Sequence, residues 1–238
     1  MKLLDAGDGA VVVELGDAID PAVNRRVHDL RRLIEHRRLA GITELVPTYR
    51  SLLVYYDPLV TSRAALARAL EELASGQADA ARPPARVVEI PTAYGGEFGP
   101  DLGFVARHTG LRADDVVRIH SGTDYFVYMM GFTAGFPYLG GMSPDIAAPR
   151  LATPRTRVPA GSVGIAQQQT GIYPSESPGG WQIIGRTPLQ LFDAARTPPV
   201  IIEAGDHVRF VPVSTDAYKD IERQVGKGEY SLSVRMTP

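Results

Sequence analysis

The chain has no cysteine among its 238 residues, which excludes disulfide bonds, thiolate metal sites and cysteine nucleophiles. Its formal net charge is only -2 at pH 7, so any anion site has to be local rather than a broad basic surface. No apolar run approaches the roughly 20 residues that a membrane span needs. Asp5 and Asp8 interrupt the start, where a signal peptide would carry its apolar core. These absences predict a cytoplasmic protein that binds neither nucleic acid nor membranes.

The familiar nucleotide and catalytic motifs are missing as well. Gly226-Lys227-Gly228 lacks the earlier glycine and the following hydroxyl residue of a phosphate-binding loop. Neither the dinucleotide fingerprint G-x-G-x-x-G nor the nucleophile motif G-x-S-x-G occurs. The five histidines stand singly, without the spacing of metal ligands. The sequence therefore predicts no metal site, and a bound nucleotide would need an arrangement of loops outside these patterns.

The first 80 residues predict a small α/β domain with the order ββαββα. A hairpin is indicated by Gly7-Asp8-Gly9 between two apolar segments. Asp20 and Pro21 are typical of a helix start. Two further strands, Ile42 to Thr48 and Ser51 to Tyr56, precede a second helix from about Ser62. The order is consistent with a sheet covered by two helices.

A boundary is predicted within Gly76 to Pro84, which is rich in alanine, glycine and proline. This divides the chain into domains at 1–80 and 81–238. After a strand at Arg86 to Pro91, one helix is opened by Pro100 and another spans about 112–120. The rest of the sequence predicts the short strands of a β-barrel, at Tyr125 to Met130, Val163 to Ala166, Gln182 to Ile184, Val200 to Glu203 and His207 to Val211. It also predicts one late helix, at Asp216 to Gln224.

Residues 131 to 188 hold the densest concentration of glycine, proline, aromatic and arginine residues in the chain. In Ser177-Pro178-Gly179-Gly180-Trp181, the proline fixes one dihedral and the glycines allow a sharp turn or the close approach of a ligand. Such loops also connect the strands of ordinary β domains. Arginines favour a site for a carboxylate or phosphate, because planar guanidinium groups bind these anions bidentately. The arginines of this segment are Arg150, Arg155, Arg157 and Arg186.

Several multi-residue motifs occur in order along nearly the whole chain: Val46-Pro47-x-Tyr49-Arg50-Ser51-Leu52-Leu53, Tyr94-Gly95-Gly96-Glu97-Phe98-Gly99-Pro100-Asp101-Leu102, Gly131-Phe132-x-x-Gly135-Phe136-x-Tyr138-Leu139, Pro154-Arg155-x-x-Val158-Pro159-Ala160-Gly161-Ser162-Val163, Gln169-Thr170-Gly171-Ile172-Tyr173-Pro174 and Ser177-Pro178-Gly179-Gly180-Trp181-x-Ile183-Ile184-Gly185-Arg186-Thr187-Pro188. In these motifs the chain closely resembles the family of the 5-oxoprolinase B subunit. That family has also been called allophanate hydrolase subunit 1, and it includes the Kip-type inhibitor of a sporulation histidine kinase.

The resemblance implies an α+β protein with a ferredoxin-like N-terminal domain followed by a cyclophilin-like β-barrel domain. It also implies two partner subunits within 5-oxoprolinase. One is the C subunit, which has a related barrel architecture, and the other is the A subunit. Two positions depart from the family pattern. Gln167 and Gln168 stand where two glycines are expected before Thr170, and Ala93 stands where a cysteine is usual. Paired glutamine side chains at this turn would hinder the close approach of a ligand.

The resemblance further implies an ATP-dependent opening of 5-oxo-L-proline to L-glutamate, with ATP as a co-substrate accompanied by Mg²⁺ and no tightly bound cofactor. Phosphorylation of the lactam oxygen creates a leaving group, and such chemistry depends on positioning and charge neutralisation. Arg155 and Arg186 fit the neutralising role. His120 is a candidate for proton transfer, although a histidine that bonds the last carbonyls of a helix explains it as well. The candidates for binding substrate or nucleotide are Gly135, Phe136, Tyr138, Arg150, Gln169, Thr170, Tyr173, Ser177, Gly179, Gly180, Trp181 and Thr187.

Two functions remain open at this point: one subunit of 5-oxoprolinase, inactive alone, or a regulatory protein that inhibits a sensor histidine kinase. Tyr138 and Trp181 are compatible with an aromatic wall of a site and equally with a barrel core. Allophanate hydrolysis is disfavoured, because the serine-lysine segment expected of such an amidase has no counterpart here. Barrel architecture by itself implies no activity, since function lies in the site.

Overall fold

The computed structural model describes residues 1–75 and 84–236. The chain divides into two compact units, Met1–Pro83 and Pro84–Pro238. Most of the predicted boundary segment lies outside the described residues, and the division at residues 80 and 81 stays a prediction. No helix in the described ranges combines the length and the apolarity needed to cross a membrane.

The first unit is one antiparallel sheet with two helices. Its strands follow the order β1-β2-β4-β3, with β2 paired to β4 in the middle. The alternation of buried and exposed residues along β4 shows one face of the sheet turned toward a core. The elements are β1 (Lys2–Asp5), β2 (Ala10–Glu14), α1 (Pro21–Arg37), β3 (Ile42–Pro47), β4 (Ser51–Tyr56) and α2 (Arg63–Ser75).

Helix α1 starts where the sequence predicts it. The Asp20 carboxylate accepts hydrogen bonds from the backbone N–H groups of Ala22 (2.7 Å) and Val23 (3.1 Å), which have no partner inside the helix. Val27, Leu30 and Ile34 form the buried stripe of α1 and pack on the sheet with Leu66 and Leu70 of α2. The predicted ββαββα order is confirmed.

The second unit is a mixed sheet that nearly closes into a barrel. Its order is β10-β9-β12-β5-β13-β6-β7, and the two end strands, β7 and β10, lie side by side. Strand β14 pairs with the first half of β5, while β12 pairs with its last residues. The strands are β5 (Arg86–Tyr94), β6 (Asp124–Met130), β7 (Pro137–Gly140), β8 (Arg155–Val158), β9 (Ser162–Ala166), β10 (Gln169–Ile172), β11 (Ser177–Gly179), β12 (Gln182–Arg186), β13 (His207–Pro212) and β14 (Val234–Met236).

Among the described residues, three α-helices accompany this barrel, α3 (Leu102–Thr109), α4 (Ala113–Ser121) and α5 (Thr215–Lys227), and a short 3-10 helix spans Pro144–Ile146. The mixed α+β class, the three helices and the main strands agree with the sequence predictions.

The predicted strand at Val200 to Glu203 is wrong. Val200 forms only an isolated bridge with Phe192, and Ile202 is buried without belonging to a strand. An apolar segment can be buried as part of a loop, so burial of its side chains does not require pairing with another strand.

A polar chain inside the barrel ties α4 to three strands, β5, β6 and β10, through His120, which is fully buried. The Thr170 hydroxyl donates to the Gly164 carbonyl (3.0 Å), so His120 Nε2 donates to Thr170 Oγ1 (2.8 Å). His120 Nδ1 then accepts a hydrogen bond from the Tyr94 hydroxyl (2.8 Å). The Tyr125 hydroxyl donates to the His120 carbonyl (2.8 Å). Both ring nitrogens are therefore satisfied by a neutral imidazole.

This buried histidine predicts a pH-dependent stability. Burial lowers the pKa of His120 to about 3 from its ordinary value of 6.5. Between these values the unfolded chain binds a proton that the folded chain does not bind. The free energy of unfolding should therefore fall as the pH decreases below about 6.5, by up to about 1.4 kcal/mol per pH unit. Urea unfolding at several pH values between about 5 and 7 measures this slope.

The variant His120→Gln removes the titrating ring and should flatten the slope, whatever its absolute stability. His207, whose pKa is also lowered by burial, is present in both proteins and does not affect the comparison. The comparison with wild type at each pH therefore isolates the ring of His120. An identical slope in wild type and His120→Gln would contradict the assignment.

Candidate ligand-binding cleft

One cleft of about 350 Å³ gathers most of the side chains that the glycine-rich and proline-rich loops predict as a site. Its walls are aromatic, and Phe136 lies at their centre. The Phe136 ring makes edge-to-face contacts with other rings at centroid distances between 5.3 and 6.1 Å. The lining consists of Phe132, Phe136, Tyr138, Arg150, Gln169, Tyr173, Pro178, Gly179, Gly180 and Trp181.

The loop between β6 and β7 brings the phenylalanines to the cleft. Gly135 turns this loop with a φ of +82°, and an added Cβ there would lie 2.8 Å from the Cβ of Phe192. Gly135 therefore shapes the loop and does not line the cleft. Phe132 also has a positive φ of 63° and a side chain that is 74% exposed. A bulky residue in this conformation is unusual and costs backbone strain, which draws attention to this loop as a candidate site.

Phe132 and Pro178 line the cleft although neither is among the predicted binding residues. The signal for both was present in the sequence, since each lies inside a motif that carries the family resemblance. Phe132 follows Gly131 at the start of its motif, and Pro178 precedes the glycine pair.

The glycine pair of β11 and the turn after it form another wall. Neither Gly179 nor Gly180 has a positive φ. A Cβ on Gly179 would overlap the Tyr173 hydroxyl and lie 2.8 Å from the ring carbon that bears it. A Cβ on Gly180 would meet only Pro154, at 3.6 Å or more. Gly179 is thus required by packing, whereas Gly180 leaves room beside the cleft.

Arg150 is the cation of this lining, and the lining contains no carboxylate. The residue is exposed, and its guanidinium has no carboxylate partner within residues 1–75 and 84–236. Burial raises the pKa of the Tyr173 hydroxyl, and this shift is opposed by a hydrogen bond with the Trp181 backbone and by the positive charges of Arg150 and Arg155. The cleft is therefore apolar and locally positive.

Arg155 has a different environment from the one that the sequence suggests. Its Nη2 donates to Asp101 Oδ1 at 2.8 Å, and its Nη1 donates to the Trp181 carbonyl at 3.4 Å. The other oxygen of Asp101 accepts from the Ile183 N–H at 2.7 Å. The charge of Arg155 is thus neutralised by a carboxylate with little exposure. Arg155 positions the Trp181 segment, and Arg150 is the guanidinium that faces the cleft.

Arg186 lies in a third environment. Its guanidinium stands 5.9 Å from the centre of the Phe98 ring, and it shares a hydrogen bond with the Tyr218 hydroxyl. Ala93, which replaces the cysteine expected from the family pattern, packs in the same small cluster with Phe98 and Tyr218. Arg155 and Arg186 therefore have separate partners, and neither lines the cleft.

The remaining predicted residues lie outside the cleft lining. His120 and Thr170 belong to the buried chain described above, which favours a structural role over proton transfer. Thr187 is buried and its hydroxyl accepts from the Leu189 N–H at 3.3 Å. Ser177 pairs with Val158 in the small β8–β11 sheet.

The glutamine pair departs from the family pattern without filling the cleft. Gln167 has a φ of 54°, in the left-handed region that usually favours glycine. This explains why glycine is expected at that position. Gln167 and Gln168 are both exposed, and only the next glutamine, Gln169, contributes to the lining.

Metal coordination finds little support in the described part of the chain. Within residues 1–75 and 84–236, no group of three or more histidine, cysteine, aspartate or glutamate side chains is arranged to hold a metal ion.

Comparison with known proteins places the chain among named relatives. The family described as "Carboxyltransferase domain, subdomain C and D" matches residues 1–202. The 5-oxoprolinase B subunit of Bacillus subtilis (strain 168) is 45% identical over 222 residues, which cover 89% of this chain and 92% of that protein. The protein of the same name from Escherichia coli O157:H7 is 43% identical over 209 residues, covering 87% and 93%.

The fold has a counterpart among solved structures. The crystal structure of TTHA0988 is 38% identical, with a TM-score of 0.76, and the match covers 86% of this chain and 40% of that one. From the aligned length, the identity and the ordered motifs, the chain belongs to the family of the 5-oxoprolinase B subunit, within the carboxyltransferase domain family, subdomain C and D.

Proposed function

We propose that this chain is the B subunit of an ATP-dependent 5-oxoprolinase, which opens 5-oxo-L-proline to L-glutamate together with the A and C subunits. The observation that carries the proposal is the 45% identity to the Bacillus subtilis B subunit, which extends over nearly the full length of both proteins. The aromatic cleft and the Arg150 guanidinium in its lining support it, because such a cleft suits a small organic anion.

In the proposed reaction the lactam oxygen attacks the γ-phosphorus of ATP and ADP leaves. One water adds to the activated ring carbon and the carbon–nitrogen bond breaks, which leaves γ-glutamyl phosphate, and a second water hydrolyses this acyl phosphate to glutamate and phosphate. This chain contributes a binding surface whose walls are fixed by packing. Its own residues orient a ligand through Arg150 and the aromatic rings. The groups that move protons and hold Mg²⁺ are proposed to come from the partner proteins.

The finer fold names also belong to this proposal. The sheet order β1-β2-β4-β3 supports a ferredoxin-like N-terminal domain if β1 is counted as the strand that follows the second helix, giving the βαββαβ pattern in permuted form. The nearly closed barrel of the second unit supports a cyclophilin-like domain. We place the assembled enzyme in the cytoplasm, in keeping with the absence of cysteine.

The first prediction is that the chain is inactive alone. Purified without partners, it should show no 5-oxoproline-dependent ATP hydrolysis and no glutamate release. Co-purified with the A and C subunits, it should release glutamate only when both ATP and 5-oxoproline are present. Turnover by the isolated chain would contradict the division of labour. A reconstituted complex without glutamate release would contradict the proposed enzyme function.

A second prediction separates the two glycines of the cleft wall. Gly180→Ala should keep the free energy of unfolding within about 0.5 kcal/mol of wild type, since its Cβ meets only Pro154. The same variant should lower the activity of the complex several-fold, because the methyl group enters the ligand space. Gly179→Ala should instead cost about 1–3 kcal/mol of stability, because Tyr173 has to move.

Urea unfolding of each variant and glutamate release by its complex provide the two measurements. Gly226→Ala in α5 is the matched control, since an added Cβ there meets no atom within 4 Å. It should preserve activity and should not reduce stability. Wild-type activity of the Gly180→Ala complex would show that this loop is an ordinary barrel connection.

A further inference from the structure

The arginines of the barrel differ sharply in what they contact. Arg155 is paired with Asp101, Arg157 with Glu176, and Arg209 with Asp124. Arg196 donates to backbone carbonyl groups of its own loop. Arg150, by contrast, faces the cleft without a carboxylate among the described residues. The cleft therefore offers one available guanidinium, and its lining adds no negative charge.

This charge count discriminates between the two ligands of the proposed reaction. A nucleotide triphosphate carries several negative charges, and its Mg²⁺ is usually held partly by carboxylate or hydroxyl oxygens. The lining provides no carboxylate and only one cation. 5-Oxoproline carries a single carboxylate, which one guanidinium can bind through two parallel hydrogen bonds. The electrostatics of the cleft favour the lactam.

Size and wall chemistry agree with this choice. The volume of about 350 Å³ is near the lower end of ligand clefts, roughly 300–1,000 Å³. The methylene groups of the lactam ring are apolar and suit the aromatic faces of the cleft.

We infer that this cleft is the binding site for 5-oxoproline itself, with Arg150 as the contact to its carboxylate, and that the nucleotide binds elsewhere in the assembled enzyme. The inference rests on the proposed 5-oxoprolinase function. It assigns to this chain the recognition of the lactam and to the partners the handling of ATP.

Trp181 provides a direct measurement, because it lines the cleft and is the single tryptophan of the chain. Titration of the purified chain with 5-oxo-L-proline should change the tryptophan emission to saturation. 2-Pyrrolidinone, the same lactam without the carboxylate, should bind at least about tenfold more weakly, in line with the contribution of a charge-assisted hydrogen bond. MgATP should not change the emission.

The variant Arg150→Gln should weaken the response to 5-oxoproline at least about tenfold and abolish the preference over 2-pyrrolidinone. Arg157→Gln is the matched control, since Arg157 is an exposed arginine of the same barrel that lies outside the lining and is paired with Glu176. It should bind like wild type. Equal affinity for the two lactams, or a response of Trp181 to MgATP instead, would overturn the inference.

Kinetics of the complex separate this inference from the proposed function. With the A and C subunits present, Arg150→Gln should raise the KM for 5-oxoproline at least about tenfold and leave the KM for ATP unchanged. This result would support the inference even if the isolated chain gave no fluorescence response, since the partners would then complete the site.

An active complex in which Arg150→Gln leaves the KM for 5-oxoproline unchanged would place the lactam elsewhere while the function stands. If the wild-type complex released no glutamate, the function would fall, and the carboxylate dependence of the Trp181 titration would decide the cleft assignment.

Discussion

The arrangement of the cleft depends on one carboxylate, that of Asp101. Asp101 precedes the first residue of α3, but its side chain does not cap that helix. One oxygen accepts from Arg155 and the other from the Ile183 backbone, at 2.8 and 2.7 Å. The backbone N–H of Asp101 also donates to the Ile183 carbonyl at 2.9 Å. A single residue thus joins α3, β8 and β12, and through the Arg155 contact with the Trp181 carbonyl it fixes the start of the cleft wall.

The aromatic rings then make the cleft rigid. Phe136 contacts Tyr138, Tyr173 and Trp181 edge to face, so the rings of the wall pack against one another. The glycine at position 179 lets the Tyr173 hydroxyl approach the backbone, where a side chain would collide with it. A preformed wall loses little conformational entropy when a ligand binds. The polar groups at its edge can therefore determine which ligand is accepted.

The sequence placed Arg150 among the binding candidates but assigned the charge-neutralising role to Arg155 and Arg186, neither of which lines the cleft. Glycine, proline and aromatic residues mark the loops locally, so Phe136, Gly180 and Trp181 could be recognised from their neighbours in the chain. The partner of Arg155 is Asp101, 54 positions away, and only the folded barrel brings the two together. His120 lies close in sequence to these loops. It belongs to the last turn of α4, however, and its side chain is buried in the core. Ion pairs and the burial of side chains arise from tertiary contacts, and local sequence motifs do not predict them.

An open cleft with one cation also explains why the chain would function as part of an assembly. Arg150 and the aromatic rings can hold one end of a small acid, but the lining contains no carboxylate or histidine that could exchange a proton with it. His120 does not line the cleft, and both of its ring nitrogens are bonded to hydroxyl groups in the core, which favours a structural role. A ligand bound by its carboxylate would leave its reactive lactam carbonyl directed away from Arg150. In the proposed assembly, the catalytic groups that act on this carbonyl would then approach from a second protein surface.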